Sequence, residues 1–172
     1  MGKHFLLLVA TLLCLSLPSW AQDYPKAEGF AGFSVMNIDG GDRQSLYGFQ
    51  ASVAGNASSM LGLVADFGGQ YKTIDDVDVK VHLYEYLFGP RINVRGEKGT
   101  GFVHFLLGGA RFGGGGESDN AFAMGIGGGA DVKVGSSNTA IRVFQFDWVP
   151  AHSNGEWEKK NVRVGFGIVF GG

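Results

Sequence analysis

Apolar and polar residues alternate one by one through most of this chain, and the alternation breaks at steady intervals. A period of two sends successive side chains to opposite faces of an extended strand, and no helical period recurs after the leading segment. The pattern predicts eight strands, at residues 26–37, 47–57, 60–71, 79–94, 100–112, 120–134, 139–149 and 161–170. The breaks fall into two alternating classes. Residues 56–59, 95–99 and 135–138 read as tight turns rich in Gly, Asn and Ser, which tolerate positive φ. Residues 38–46, 72–78, 113–119 and 150–160 read as longer polar loops. An even number of strands then returns both chain ends to the short-turn side.

The strand faces sharpen this reading. Leu61, Leu63, Ala65, Phe67 and Tyr71 share one face, against Gly62, Asp66, Gly68 and Gln70 on the other. Tyr47, Phe49, Ala51 and Val53 oppose Gly48, Gln50 and Ser52, and Tyr84, Tyr86, Phe88 and Ile92 oppose Glu85, Arg91 and Asn93. In the seventh strand Phe144, Phe146 and Trp148 oppose Gln145 and Asp147; in the eighth, Val162, Val164, Phe166, Ile168 and Phe170 oppose Asn161, Arg163, Gly165 and Gly167. The fifth strand breaks the rule, with Phe102, His104 and Leu106 facing one way and Arg111 the other; a bulge near Gly108 and Gly109 is expected to shift its register.

A soluble sandwich also alternates. Here, however, the polar faces carry mid-strand charges (Asp66, Glu85, Arg91, Asp131, Asp147, Arg163) flanked by glycine, and Tyr47, Tyr71, Phe102, Phe112, Trp148 and Phe170 gather near strand ends like an interfacial girdle. An apolar outside around a charged inside suits lipid as solvent. Closure is then obligatory, because an open edge leaves unpaired backbone groups in hydrocarbon. The expected fold is all-β, an eight-stranded antiparallel up-and-down transmembrane β-barrel whose short turns face the periplasm, with an interior narrow enough to be filled by side chains.

The leading segment places the chain. Lys3 precedes an apolar run from Phe5 to Leu17, and Pro18, Ser19, Trp20 and Ala21 supply a signal-peptidase pattern. The run is short of the roughly 20 residues of a spanning helix. Residues 1–21 are therefore expected to be a signal peptide cleaved after Ala21, leaving residues 22–172 as the barrel. Leu12 and Leu13 before Cys14 disfavour a lipoprotein site, and the one cysteine leaves with the signal, removing disulfides, thiol catalysis and cysteine metal sites. Loss of Lys3 leaves 13 basic against 16 acidic residues, 13 − 16 = −3, which excludes a basic surface for nucleic acid. Many of the 30 glycines lie inside apolar segments and not in a linker, as a tightly coiled barrel wall requires.

The segments Tyr86-Leu87-Phe88-Gly89-Pro90-Arg91, Gly101-Phe102-Val103-His104-Phe105-Leu106-Leu107-Gly108-Gly109 and Val162-Arg163-Val164-Gly165-Phe166-Gly167-Ile168-Val169-Phe170 resemble the small outer-membrane β-barrel family that includes the OmpA transmembrane domain and OmpX. The resemblance spans nearly all of residues 22–172. It implies a monomeric eight-stranded barrel in the outer membrane, in contact with lipid and lipopolysaccharide and delivered by the outer-membrane assembly machinery. Many such proteins have no known reaction, and no cofactor is implied. The chain departs from the family in carrying Gly171-Gly172 after Phe170, where a terminal aromatic is usual, and a peptidoglycan-binding cell-wall anchor is not expected.

Candidate chemistry is sparse. The charges Asp66, Glu85, Arg91, Arg111, Asp131, Asp147 and Arg163 are expected inside, as an ion path or as a salt-bridged plug, with Glu85–Arg91, Asp131–Arg111 and Asp147–Arg163 as plausible partners. His152, Ser153 and Glu156, with Glu158 nearby, bring to mind the lipid A deacylases of the same architecture, but adjacent His and Ser point to opposite faces of a strand, so a polar surface loop is the better reading. Gly113 to Gly116 lack the Lys-Ser or Lys-Thr of a phosphate loop. Asp75, Asp76 and Asp78 lack the glycine and glutamate of a calcium loop, so no metal is expected. The resulting expectation is a structural or surface-interaction barrel without catalysis. The alternatives are a lipid A-modifying enzyme, a narrow ion channel past Glu85 and Arg91, and a soluble periplasmic lipocalin-like binder.

Overall fold

A computed structural model of the chain describes residues 24–39, 43–74, 79–114, 117–135, 138–153 and 155–172. The leading segment 1–21 and its proposed cleavage site at Ala21 lie outside the described residues, as do Asp75, Asp76, Asp78, Gly115 and Gly116. Antiparallel strands make up nearly all of the rest: β1 (Ala27–Asp39), β2 (Arg43–Asn56), β3 (Leu61–Ile74), β4 (Val79–Arg95), β5 (Gly99–Gly114), β6 (Glu117–Lys133), β7 (Thr139–Trp148), β8 (Ala151–Ser153), β9 (Glu156–Glu158) and β10 (Val162–Gly171). From β1 to β7 each strand pairs with its neighbour in sequence, β7 pairs with β10, and β10 pairs with β1 from Glu28↔Gly171 to Asn37↔Val162. Eight strands thus form a closed up-and-down barrel with no free edge in its wall.

The wall strands run further than the alternation predicts. β1 continues to Asp39, β3 to Ile74 and β5 to Gly114, while β2 begins at Arg43 and β6 at Glu117, so residues 38–39, 43–46, 72–74, 113–114 and 117–119 of the expected loops are strand. Alternation fades there because Ser45, Lys72, Thr73, Ser118 and Asp119 are polar on both faces, yet backbone pairing continues. The region 150–160, expected as loop, carries the β8–β9 hairpin, and β8 docks on β6 through Phe122↔His152 and Ala123↔Ala151. The tight turns are built locally. Ser58 Oγ accepts from the amide of Leu61 at 2.9 Å, the Gly96 amide donates to the Gly99 carbonyl at 2.8 Å, and Gly135 adopts φ +63°.

The expected bulge in the fifth strand is not there. β5 keeps one register with β6 from Gly99 to Gly114, so even positions face inward throughout and Arg111 faces outward. The irregularity is in β7. Arg142 pairs with Asp131 and Gly167, whereas Phe144 pairs with Ala130 and Gln145 with Gly165, which leaves Val143 and Phe144 consecutive on the outside, 50% and 52% exposed. Parity in β7 therefore inverts at that point and turns Arg142 inward.

The surface is inverted relative to a soluble domain. Phe49, Phe67, Phe88, Phe146, Phe166 and Ile168 are exposed on the outside, while Asp66, Glu85, Asp147 and Arg163 are buried inside. Toward the loop ends of the strands the interior is closed by an apolar cluster in which Met36, Leu46, Leu83, Ala110, Ala123 and Val149 pack together, with Phe112 against them. Phe112 and Phe102, expected among the girdle aromatics, both belong to the interior: Phe102 is buried, and even parity in β5 turns both rings inward.

At Gly108 the β4 backbone approaches so closely that a Cβ would fall on the Tyr86 carbonyl oxygen. Gly108→Val is expected to lower unfolding free energy by roughly 1–3 kcal/mol, measured by urea titration in detergent micelles. Unchanged stability would contradict the close approach.

Candidate functional site

The buried ions of the barrel interior form two connected layers. In the middle layer Arg163 of β10 reaches three neighbours: Nη2 lies 2.7 Å from Asp66 Oδ1 on β3 and 2.8 Å from Asp147 Oδ2 on β7, and Nη1 lies 3.2 Å from Glu85 Oε2 on β4. Neutral amides extend the set. Gln50 Nε2 donates to Asp66 Oδ2 at 2.7 Å and Gln145 Nε2 to Asp147 Oδ2 at 2.8 Å, while His104 Nε2 sits 2.8 Å from Asp147 Oδ1. Glycine makes room for this: a Cβ at Gly68 would stand 2.9 Å from Glu85 Oε2 and 3.0 Å from Arg163 Nη1.

The second layer lies toward the tight turns. Glu28 of β1 accepts from Arg91 and, at 2.9 Å, from Arg95 Nη1. Arg142 donates to both oxygens of Asp131, from Nε at 2.7 Å and Nη2 at 3.0 Å, a bidentate fork. The Arg142 guanidinium is sandwiched between the rings of Phe30 and Phe102, 4.2 and 4.3 Å from their centroids. Its Nη1 donates to Gln145 Oε1 at 2.7 Å, which joins the two layers. Beyond them, at the turn end, lies a cavity of about 870 Å³ bordered by Glu28, Arg95, Thr100, Asp131 and Lys133.

The arrangement of the expected site residues follows from strand position. Asp147 and Arg163 meet. Glu85 and Arg91 belong to different layers of one strand, Glu85 with Arg163 and Arg91 with Glu28. Asp131 pairs with Arg142 and not with Arg111, which lies outside and donates from Nη2 to Ser118 Oγ at 3.0 Å. Among the missed residues, Glu28 and His104 were readable from parity, since they share faces with Ser34 and Leu106. Arg142 was hidden by the β7 bulge, because strict alternation puts it on the side of Phe144.

The polar set near the chain end does not assemble. His152 faces Trp157 across the β8–β9 hairpin with ring centroids 5.0 Å apart, whereas Ser153 and Glu156 pair in the adjacent row, on the other face. Among the described residues no group of His, Cys, Asp or Glu has the arrangement of a metal site. What the interior arrangement can do is hold strands together through opposite charges that are desolvated and paired across strands.

No protein-family model matches the chain, and no curated protein is similar to it in sequence. Solved structures do resemble it. Neisserial surface protein A matches with a TM-score of 0.67 at 10% identity, covering 88% of this chain and 100% of its own. Ail, the attachment invasion locus protein of Yersinia pestis, matches with a TM-score of 0.56 at 15% identity over 86% of this chain and 99% of its own. The N-terminal β-barrel domain of Pseudomonas aeruginosa OprF matches with a TM-score of 0.56 at 13% identity over 86% and 98%. These are small outer-membrane barrels of eight strands, and the chain shares their fold.

Arg163→Met leaves Asp66, Glu85 and Asp147 facing one another without their shared cation. Its expected cost is about 3–5 kcal/mol, the range for breaking a buried ion pair on one side, read from urea unfolding of the folded barrel. A loss under about 1 kcal/mol, the scale of an exposed pair, would contradict a buried hub.

Proposed function

We propose that this chain is an exported outer-membrane barrel with a structural or surface-interaction role and no catalysis of its own. The observation that carries the reading is the inverted surface: apolar side chains cover the outside of the wall, and the ionic ones are packed within. Water is a poor solvent for such an outside, and acyl chains are a good one. The shared fold with three outer-membrane barrels supports the same location. On this reading a signal peptide ending at Ala21 directs export, the assembly machinery inserts the chain, and it works as a monomer surrounded by lipid and lipopolysaccharide.

The surface role is supported by strand length. β4 and β6 each have 17 residues, against about 9–11 for a tilted strand crossing a bilayer. The tight turns leave little chain at the opposite end, so the excess projects at the loop end, where the β8–β9 hairpin adds exposed Trp157 between Glu156 and Glu158. The attachment invasion locus protein of Yersinia pestis, whose name speaks of attachment, shares this barrel. Display of the loop end to other surfaces is therefore the favoured use.

The channel reading is weaker. Any path past Glu85 and Arg91 meets the apolar cluster around Met36, Leu46 and Leu83 at the loop end, and both charges are engaged on the way. The lipid A-modifying reading needs His152 and Ser153 together, and they occupy opposite faces of the hairpin.

The folded chain is expected to sediment with outer membranes and to migrate differently on a gel when boiled and unboiled. In planar bilayers it is expected to stay silent across voltages, and lipid A acylation is expected to be the same with and without it by mass spectrometry. Recovery in the aqueous fraction with heat-independent migration would overturn the membrane assignment; stepwise conductance or altered acylation would overturn the non-conducting, non-catalytic one.

A further inference from the structure

Arg91, Arg95, Arg142 and Arg163 all turn into the barrel, whereas Arg111 turns out. Among the described side chains at outward positions of the eight barrel strands, it is the one bearing a formal charge. An arginine on the lipid face costs about 2–4 kcal/mol at the bilayer midplane and falls to about 0–1 near the interface. Arg111 lies three residues from the loop end of β5, so it sits where the cost is low and where headgroups begin.

Its neighbours are of a kind. Tyr84 stands directly opposite Arg111 on β4, and Asn120 opposite it on β6. Tyr84 Oη and Tyr71 Oη are 3.1 Å apart, and the His82 ring lies 5.5 Å from the Tyr84 ring. One guanidinium, one imidazole and a pair of phenol hydroxyls therefore share a single outward patch across β3, β4 and β5. Toward the bilayer centre the patch continues as apolar rings: Tyr84 stacks on Phe67 at 6.3 Å and Phe67 contacts Phe49 at 5.9 Å. Hydrogen-bond donors above an aromatic, acyl-compatible surface match a lipid whose headgroup is anionic. The guanidinium fork suits a phosphate, and a Ser118 contact at 3.0 Å holds that fork along the β5–β6 seam.

We propose that Arg111, with His82 and the Tyr71–Tyr84 hydroxyl pair, forms a site for the monoester phosphate of a membrane lipid in the leaflet at the loop end. The site rests on the membrane reading of the barrel and adds to it a particular headgroup chemistry. It also gives the outward arginine a role that a uniformly apolar belt does not need.

The test uses the folded chain in phosphatidylcholine nanodiscs, with bisphosphorylated lipid A and its dephosphorylated form as probes and retention read by native mass spectrometry. Wild-type protein is expected to retain the phosphorylated lipid about ten-fold better than the dephosphorylated one, the scale of one charge-assisted contact. Arg111→Gln is expected to abolish that preference and Arg111→Lys, which keeps the charge without the fork, to reduce it in part. Equal retention of the two lipids by wild type, or an undiminished preference in Arg111→Gln, would overturn the site. Release of the lipid by millimolar inorganic phosphate would reassign the patch to a free anion and overturn the lipid commitment. A chain that does not enter the nanodisc at all would instead overturn the membrane reading beneath it.

Discussion

Each backbone N–H and C=O in a spanning wall has to find its partner within the wall, because hydrocarbon offers none. That constraint selects a ring over an open sheet, and here the ring is completed by ten residue pairs between β1 and β10, from Glu28↔Gly171 to Asn37↔Val162. Closure then divides the side chains into two populations by parity alone. One population faces a solvent without hydrogen bonds and is apolar; the other faces its own kind across a narrow lumen. The ionic interior is a consequence of the second condition, since a small barrel must be filled and polar groups placed there must be satisfied by one another.

The filling is layered. Arg163 draws three strands together by meeting carboxylates from β3, β4 and β7, and Arg142, held between Phe30 and Phe102, ties the lower layer to the middle one through Gln145. Above them the lumen turns apolar around Met36, Leu46 and Leu83, and below them it widens into the turn-end cavity. The two ends of the lumen therefore differ: one is stoppered by hydrocarbon packing and the other is bordered by charge. This asymmetry follows the chain's connectivity, with tight turns at the open end and long projecting strands at the stoppered one.

Much of this was legible in the sequence because a period of two is a local signal. The faces of β2, β3, β4 and β10 need no knowledge of the partner strand, and Phe166 and Arg163 are assigned to opposite sides by counting. Three features were not legible, for different reasons. The β7 bulge is set by how β6 and β10 pair with it, so alternation alone does not turn Arg142 inward, and Asp131 was given Arg111 as its partner instead. The end of β3 and the start of β6 lie where the wall leaves its apolar zone, and there the composition of Lys72, Thr73 and Ser118 imitates loop although the ladder persists. Arg111 was drawn inside by the assumption that charge must be internal; unbroken parity in β5 puts it out, among Tyr84 and Asn120.

The central claim is that outward positions meet acyl chains and inward ones do not, and β7 tests it most sharply because its parity breaks. Spin labels on single cysteines placed in turn at residues 139 to 148 of the membrane-embedded protein report collision with oxygen, which concentrates in the acyl region. The account predicts alternating high and low oxygen accessibility with two consecutive high positions, at residues 143 and 144, and a low one at 142. Uniform accessibility along the strand, or contact with a water-soluble relaxation agent at 144, 146 and 148, would contradict it.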